Sequence, residues 1–148
     1  MAQLYFNDQL IANSSCHGIL SHQLANEEIV IHYTHHAKKY YTVIMYDDRH
    51  IHSMIINVKG DDLENGDVLV EYTPFEIRRV NYGALVCIYE QPTRLPLPND
   101  DFDMEKFTKD NKLKSLYTIA FTVLQKIEKK PNIYSNRVFN TKLKQYKK

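Results

Sequence analysis

Runs of β-branched and aromatic residues that stay apolar at consecutive positions constrain this chain more than any other feature. Tyr40-Tyr41-Thr42-Val43-Ile44-Met45-Tyr46 and Ala84-Leu85-Val86-Cys87-Ile88-Tyr89-Glu90 both have this character. A strand that is apolar on both sides is buried on both faces. Ser53-Met54-Ile55-Ile56-Asn57-Val58 is a further strand of this kind, ended by the turn-forming Lys59-Gly60-Asp61-Asp62. Val68-Leu69-Val70-Glu71-Tyr72 follows Glu64-Asn65-Gly66-Asp67, whose Asn-Gly pair is the strongest hairpin signal in the chain. Glu27 to Tyr33 alternates in part and reads as a strand. Leu116 to Leu124 is of β type, although Ala120 and Leu124 would also suit a helix. Asp103 to Asn111 reads as one short helix after a loop containing Pro92, Pro96 and Pro98. These signals predict a mainly β sandwich with one or two peripheral helices.

The remaining bulk properties narrow the classes. A chain of 148 residues fits one domain and buries enough surface for a core without staples. The net charge of +1 gives no global pull toward nucleic acid or an anionic membrane, so any such affinity must come from a local patch, and no nucleic-acid partner is expected. Cys16 and Cys87 lack metal-type spacing, and Cys87 lies inside an apolar run; two such thiols fit a reducing, cytoplasmic compartment. Met1 to Asp8 lacks the order of a signal peptide, and no apolar run reaches the roughly 20 residues of a membrane span. From Lys126 the chain turns basic, with Lys or Arg at 129, 130, 137, 142, 144, 147 and 148. This segment is expected to be a C-terminal extension, 126–148, either a packed helix or a tail. The leaning toward Tyr, Asn, Ile and Lys fits an AT-rich genome, and would suit a large DNA virus.

Asp47-Asp48-Arg49-His50-Ile51-His52 is the most suggestive cluster, lying between two strong strands. Alternate strand residues share a face, so His50 and His52 can point the same way. A carboxylate beside an imidazole holds it protonated and oriented, making it a donor to an anionic ligand. The plainer reading is a polar turn. His32, His35 and His36 form a second group with Lys38 and Lys39 behind it, where a solvated loop is favoured over a metal site. Ser14-Ser15-Cys16-His17 is discounted as a nucleophile, because adjacent residues of an extended segment point apart. No Gly-rich phosphate loop, zincin helix or nucleophile elbow is present in a chain with four glycines, and no cofactor is implied.

The order of these motifs resembles the phosphatidylethanolamine-binding family. Tyr40 to Asp48 is similar to its "YYTLVMxDPDAP" segment, and His52 to Asp62 to "HWLVxNIxGxD". Gly66 to Pro74 is similar to "GxxLxxYxPP", Val86 to Pro92 to "VFLLYEQP", and Phe107 to Leu113 to "FxxxYxL". Leu20-Ser21-His22 and Glu28 to His32 fit the opening "LTP…PxIxW". The resemblance spans residues 4 to about 125 and implies a domain over 1–125. That domain would have a large central β-sheet, a smaller second sheet and short peripheral helices.

Carried over by position, the resemblance implies a rim pocket for phosphate-bearing or other anionic groups. Its residues here would be Asp47, Asp48, His50, His52, Pro74 and Tyr82. Several positions depart from the family. The loop before His52 is nearly absent, and Asn81-Tyr82-Gly83 stands where the family has "GxHRY", so Tyr82 replaces the second pocket histidine. Tyr82 can donate a neutral hydrogen bond but supplies no positive charge; Arg49 or His50 would compensate if turned inward. The implied function is a non-enzymatic binding or regulatory protein with a partly retained anion pocket, acting on a kinase or other signalling or viral protein. The alternative is an interaction or scaffold module that has lost the small-molecule pocket. A metal-dependent enzyme built on the histidines is the least favoured reading.

Overall fold

A computed structural model describes residues 1–99 and 103–127. The expected basic extension lies outside the described residues from position 128 on. Strands β1 (Ala2–Phe6), β2 (Gln9–Asn13) and β4 (Ile29–Tyr33) form a three-stranded sheet in the order β2-β1-β4. Strands β3 (Gly18–Leu20), β5 (Tyr40–Asp47), β6 (Ile51–Lys59), β7 (Asp67–Val70), β8 (Tyr82–Gln91) and β9 (Lys114–Val123) form the second sheet, in the order β3-β9-β8-β5-β6-β7. One short helix, α1 (Met104–Asp110), lies before β9. The architecture is the mainly β, two-sheet sandwich that the sequence predicts.

The continuous apolarity of β5 and β8 has a direct cause. Their residues Tyr41, Val43, Val86 and Ile88 meet Leu4, Phe6 and Ile31 of the small sheet in the main core. On the opposite face Ile44, Met54 and Ile56 are covered by Leu95 and by Phe107 of α1. Helix α1 begins where the Asp103 carboxylate accepts from the Glu105 and Lys106 amides, an N-cap. The ambiguous run at 116–124 is strand, because β9 pairs antiparallel with β8 from Tyr82↔Val123 to Glu90↔Lys114. Ladder partners outweigh the helix propensity of Ala120.

One local reading is corrected. Asn65-Gly66 makes no two-residue hairpin turn: Leu63–Asn65 is a 3-10 turn and Gly66 is extended at φ −86°. The Asn65 side chain instead hydrogen-bonds the Lys59 backbone N–H and C=O, both at 2.9 Å. A Cβ on Gly66 would lie 2.6 Å from Ile55 Cγ2, so packing selects the glycine. The two-residue turn is Asn7-Asp8, with φ of 48° and 59°, between strands β1 and β2. Both central residues of a type I′ turn need positive φ, and Asn and Asp tolerate it.

Strand β6 carries two irregularities that shape the molecule. Its pairing with β5 shifts between Tyr41 and Val43, and again between Met45 and Tyr46. The first bulge places Asn57 at φ +58°, within a buried polar network. The Asn57 amide N–H donates to Gln91 Oε1 at 2.8 Å, and Thr42 Oγ1 donates to the same oxygen at 2.7 Å. Asn57 Oδ1 accepts from Gln91 Nε2 and from the Leu95 amide, while Asn57 Nδ2 donates to the Leu95 carbonyl. The proline-rich segment after β8 is thus anchored to the sheet centre through one side chain. Asn57→Ala strands several of these groups, each costing about 1–3 kcal/mol when left unmet. The expected loss is about 3 kcal/mol, read as a lower urea midpoint with an unchanged slope; a loss under about 1 kcal/mol would contradict this role.

Candidate functional site

The second bulge of β6 builds the site. Met45 pairs with Ser53 and Tyr46 with Ile51, so His52 has no opposite residue and its ring is re-aimed toward the end of β5. There His52 Nε2 meets Asp47 Oδ2 at 2.6 Å, and His52 Nδ1 meets the Thr73 carbonyl at 2.6 Å. Both side chains are wholly buried. Asp47 Oδ1 accepts from the Arg49 amide at 2.8 Å and the His50 amide at 3.1 Å, which closes the turn between β5 and β6.

Burial pushes the Asp47 carboxyl up, but the His52 hydrogen bond and the two backbone amides outweigh it, and the net direction is below the ordinary carboxylate value. The Asp47 carboxylate on one side and the Thr73 carbonyl on the other engage both ring nitrogens of His52. Neither nitrogen is left for a ligand. The ring faces are also covered, by His50 at 4.1 Å between centroids and by Phe75 at 3.9 Å. Phe75 is buried and packs edge-on against Phe121, which plugs the space above the imidazole.

The other residues singled out from the sequence surround this pair. Asp48 is exposed and receives Arg79 Nη2 at 2.8 Å on both oxygens. Arg79 also lies over the Tyr82 ring, 4.1 Å from its centroid. Tyr82 is buried, and its hydroxyl has no partner at hydrogen-bonding geometry. Burial and the Asp47 charge push its phenol up, against the weaker pull of the Glu76 backbone amide and Arg79, so it stays a neutral donor. His50 is half-exposed, and Pro74 is exposed in the loop that carries Phe75. The structure therefore brings Asp47, His50, His52 and Tyr82 together and leaves Asp48 and Pro74 at the surface. Arg79 and Phe75 lay outside the sequence reading, since neither falls in a motif; the aromatic Phe75 directly after Pro74 was the available signal.

A cavity of about 390 Å³ opens beside the cluster, bordered by His17, Asp47, Asp48, Gly83, Ala84 and Phe121. His52 and Tyr82 do not line it. A Cβ at Gly83 would meet nothing within 4 Å, so this open space exists because no side chain fills it. His17 is bound through Nε2 to Thr122 Oγ1 at 2.7 Å. Both carboxylates on its border are paired, Asp48 with Arg79 and Asp47 with His52.

Asp47, His50 and His52 also offer three ligand atoms within 4.8 Å of one another. The 2.6 Å between His52 Nε2 and Asp47 Oδ2 is a hydrogen-bond distance, whereas two ligands on a tetrahedral zinc stand roughly 3.3 Å apart. The arrangement is that of a hydrogen-bonded pair. Among the described residues His32, His35 and His36 form no such three-ligand cluster. His32 instead reaches Asp61 at 3.1 Å, and His35 the Tyr33 carbonyl at 3.0 Å.

No protein-family model and no curated protein matches the sequence. Solved structures do. The chain matches the crystal structure of carboxypeptidase Y inhibitor complexed with its cognate proteinase, with a TM-score of 0.65 and 13% identity over 84% of this chain and 83% of that one. It also matches the crystal structure of a phosphatidylethanolamine-binding protein from Plasmodium falciparum, with a TM-score of 0.58 and 12% identity over 83% and 85% of the two chains. The fold is that of the phosphatidylethanolamine-binding proteins. Neither match is described as viral. Among the described residues no helix is long and apolar enough to cross a membrane.

The Asp47 shift fixes a pH dependence within this phosphatidylethanolamine-binding-protein fold. A carboxyl whose folded value lies below its unfolded value, about 3.8, adds stability that is fully present above that value. The contribution disappears as pH falls through the folded value. Urea midpoints of wild type and Asp47→Asn are therefore expected to differ by a constant amount above about pH 5 and to converge below about pH 4. A difference that stays constant down to pH 2.5 would refute the role of Asp47 ionisation.

Proposed function

We propose that this chain is a non-enzymatic binding protein that acts through contacts with another protein, and that its rim site holds a small anion only weakly. One observation carries the reading: the Asp47–His52 pair is closed on itself and covered by Phe75. Two histidines and a carboxylate grip phosphate when their N–H groups are free, each charge-assisted bond being worth about 1.5–3 kcal/mol. Here one histidine is replaced by Tyr82, and the other is hydrogen-bonded through both ring nitrogens to Asp47 and the Thr73 carbonyl. A general base or nucleophile must reach substrate, and His52 is wholly buried. That supports a binding role rather than a catalytic one.

What remains accessible at the rim is His50, Asp48 with its Arg79 partner, and Pro74. These polar groups border the loop that carries the Phe75 plug, and a protein partner such as a kinase would engage them. A match described as an inhibitor complexed with its cognate proteinase supports the use of this fold in blocking or regulating another protein.

A titration with phosphate and phosphoethanolamine, following the His52 ring resonances by NMR, tests the anion part. Half-saturation is expected no tighter than about 1 mM, a binding free energy of roughly −4 kcal/mol. Saturation in the low micromolar range, with the His52 signals moving, would show an open pocket and overturn the reading.

A further inference from the structure

A second recess, apart from the rim, lies between the two sheets. It measures about 260 Å³ and is walled by Ile29 and Ile31 of β4 and by Val43, Met45 and Ile55 of the large sheet, with Val68 of β7 at its side. For scale, an engineered apolar cavity of about 150 Å³ is enough to admit benzene. Ser53 contributes the one hydroxyl besides Tyr72, and Tyr72 already donates to the Ala25 carbonyl.

The mouth of this cleft has a definite charge. Ile29, Ile31, Leu63 and Glu64 also border an adjoining recess of about 250 Å³, whose other walls include Glu28, Asp61 and Asp62. Neither recess is lined by a lysine or arginine. Asp61 has His32 at 3.1 Å, while Glu28, Asp62 and Glu64 take part in no ion pair among the described residues. The wider chain reinforces the local sign. Residues 1–125 hold eleven basic against seventeen acidic side chains, a net charge of −6, so the formal +1 of the whole comes from the segment beyond.

An apolar slot with an acidic mouth suits a molecule with an apolar body and one cationic head. We propose that the cleft between the sheets binds a small amphiphilic amine, its hydrocarbon against Val43, Met45 and Ile55 and its ammonium among Glu64, Asp62 and Glu28. The apolar part is removed from water, and the focused negative potential selects the sign of the head group. The cleft is too small for a folded partner, which favours a small molecule over a peptide. This inference is independent of the rim site and does not stand or fall with it.

The test uses the full chain and three probes of one length: octylammonium, octanol and octanoate. The methyl resonances of Met45 and Ile55 are followed by NMR in each titration. Octylammonium is expected to shift them saturably and to bind at least about fivefold more tightly than octanoate, with octanol between. Raising NaCl from about 0.05 to 0.5 M should narrow that gap, since the head group meets exposed carboxylates. Glu64 is exposed, so Glu64→Lys leaves the core intact; it is expected to reverse the order of octylammonium and octanoate. Equal affinity for all three probes, no saturable shift at Met45 and Ile55, or an unchanged order in Glu64→Lys each overturns the proposal. So does octylammonium binding seen only after residues 128–148 are removed, which would assign the cleft to the chain's own basic segment.

Discussion

The hydrogen-bonded pair of Asp47 and His52 is the constraint from which the geometry of the rim follows. Removing a carboxylate and an imidazole from water is expensive, and the pair persists only where every remaining donor and acceptor is met. The surrounding structure meets them. The tight turn from β5 to β6 aims the Arg49 and His50 amides at Asp47 Oδ1, and the strand bulge aims the ring of His52. The segment after β7 places the Thr73 carbonyl against Nδ1, while the Thr73 amide donates to the His52 carbonyl at 2.8 Å. Three stretches of chain are thereby stitched at one point, and Phe75 is delivered onto the imidazole as a consequence.

The same arrangement bears on how an anion could be held at the rim. Binding a phosphate through His52 would require one of its two hydrogen bonds to break inside a buried site, leaving Asp47 or the Thr73 carbonyl unmet. A free surface histidine carries no such penalty.

Much of the large sheet was legible because its central strands are apolar at consecutive positions, a pattern that local sequence states directly. Strands β1 and β2 were not, because Leu4-Tyr5-Phe6 and Leu10-Ile11-Ala12 are short and their turn residues, Asn7-Asp8, are a less emphatic signal than Asn-Gly. Asn65-Gly66 misled for the complementary reason. Its glycine answers to the crowding of Ile55 and Val58, a tertiary demand that no dipeptide rule contains. At the site, the closeness of Asp47 to His52 was legible from the short turn between them. The partner that completes the imidazole is a backbone carbonyl 21 residues away, and backbone acceptors leave no residue-type signature. Bulges are equally silent in sequence, yet both of those in β6 decide where a functional or structural side chain points.

Charge is the last element that only the fold reveals. A chain with a net charge of +1 reads as neutral, but its recesses differ in charge: Glu28, Asp61, Asp62 and Glu64 border the cleft between the sheets, whereas Arg78 and Lys126 line another recess. Recesses with low-dielectric walls focus fields, so the local lining bears on an entering ligand more than the net charge of the chain does. A binding surface selects by local potential and by which donors remain free, and a chain's net charge reports neither.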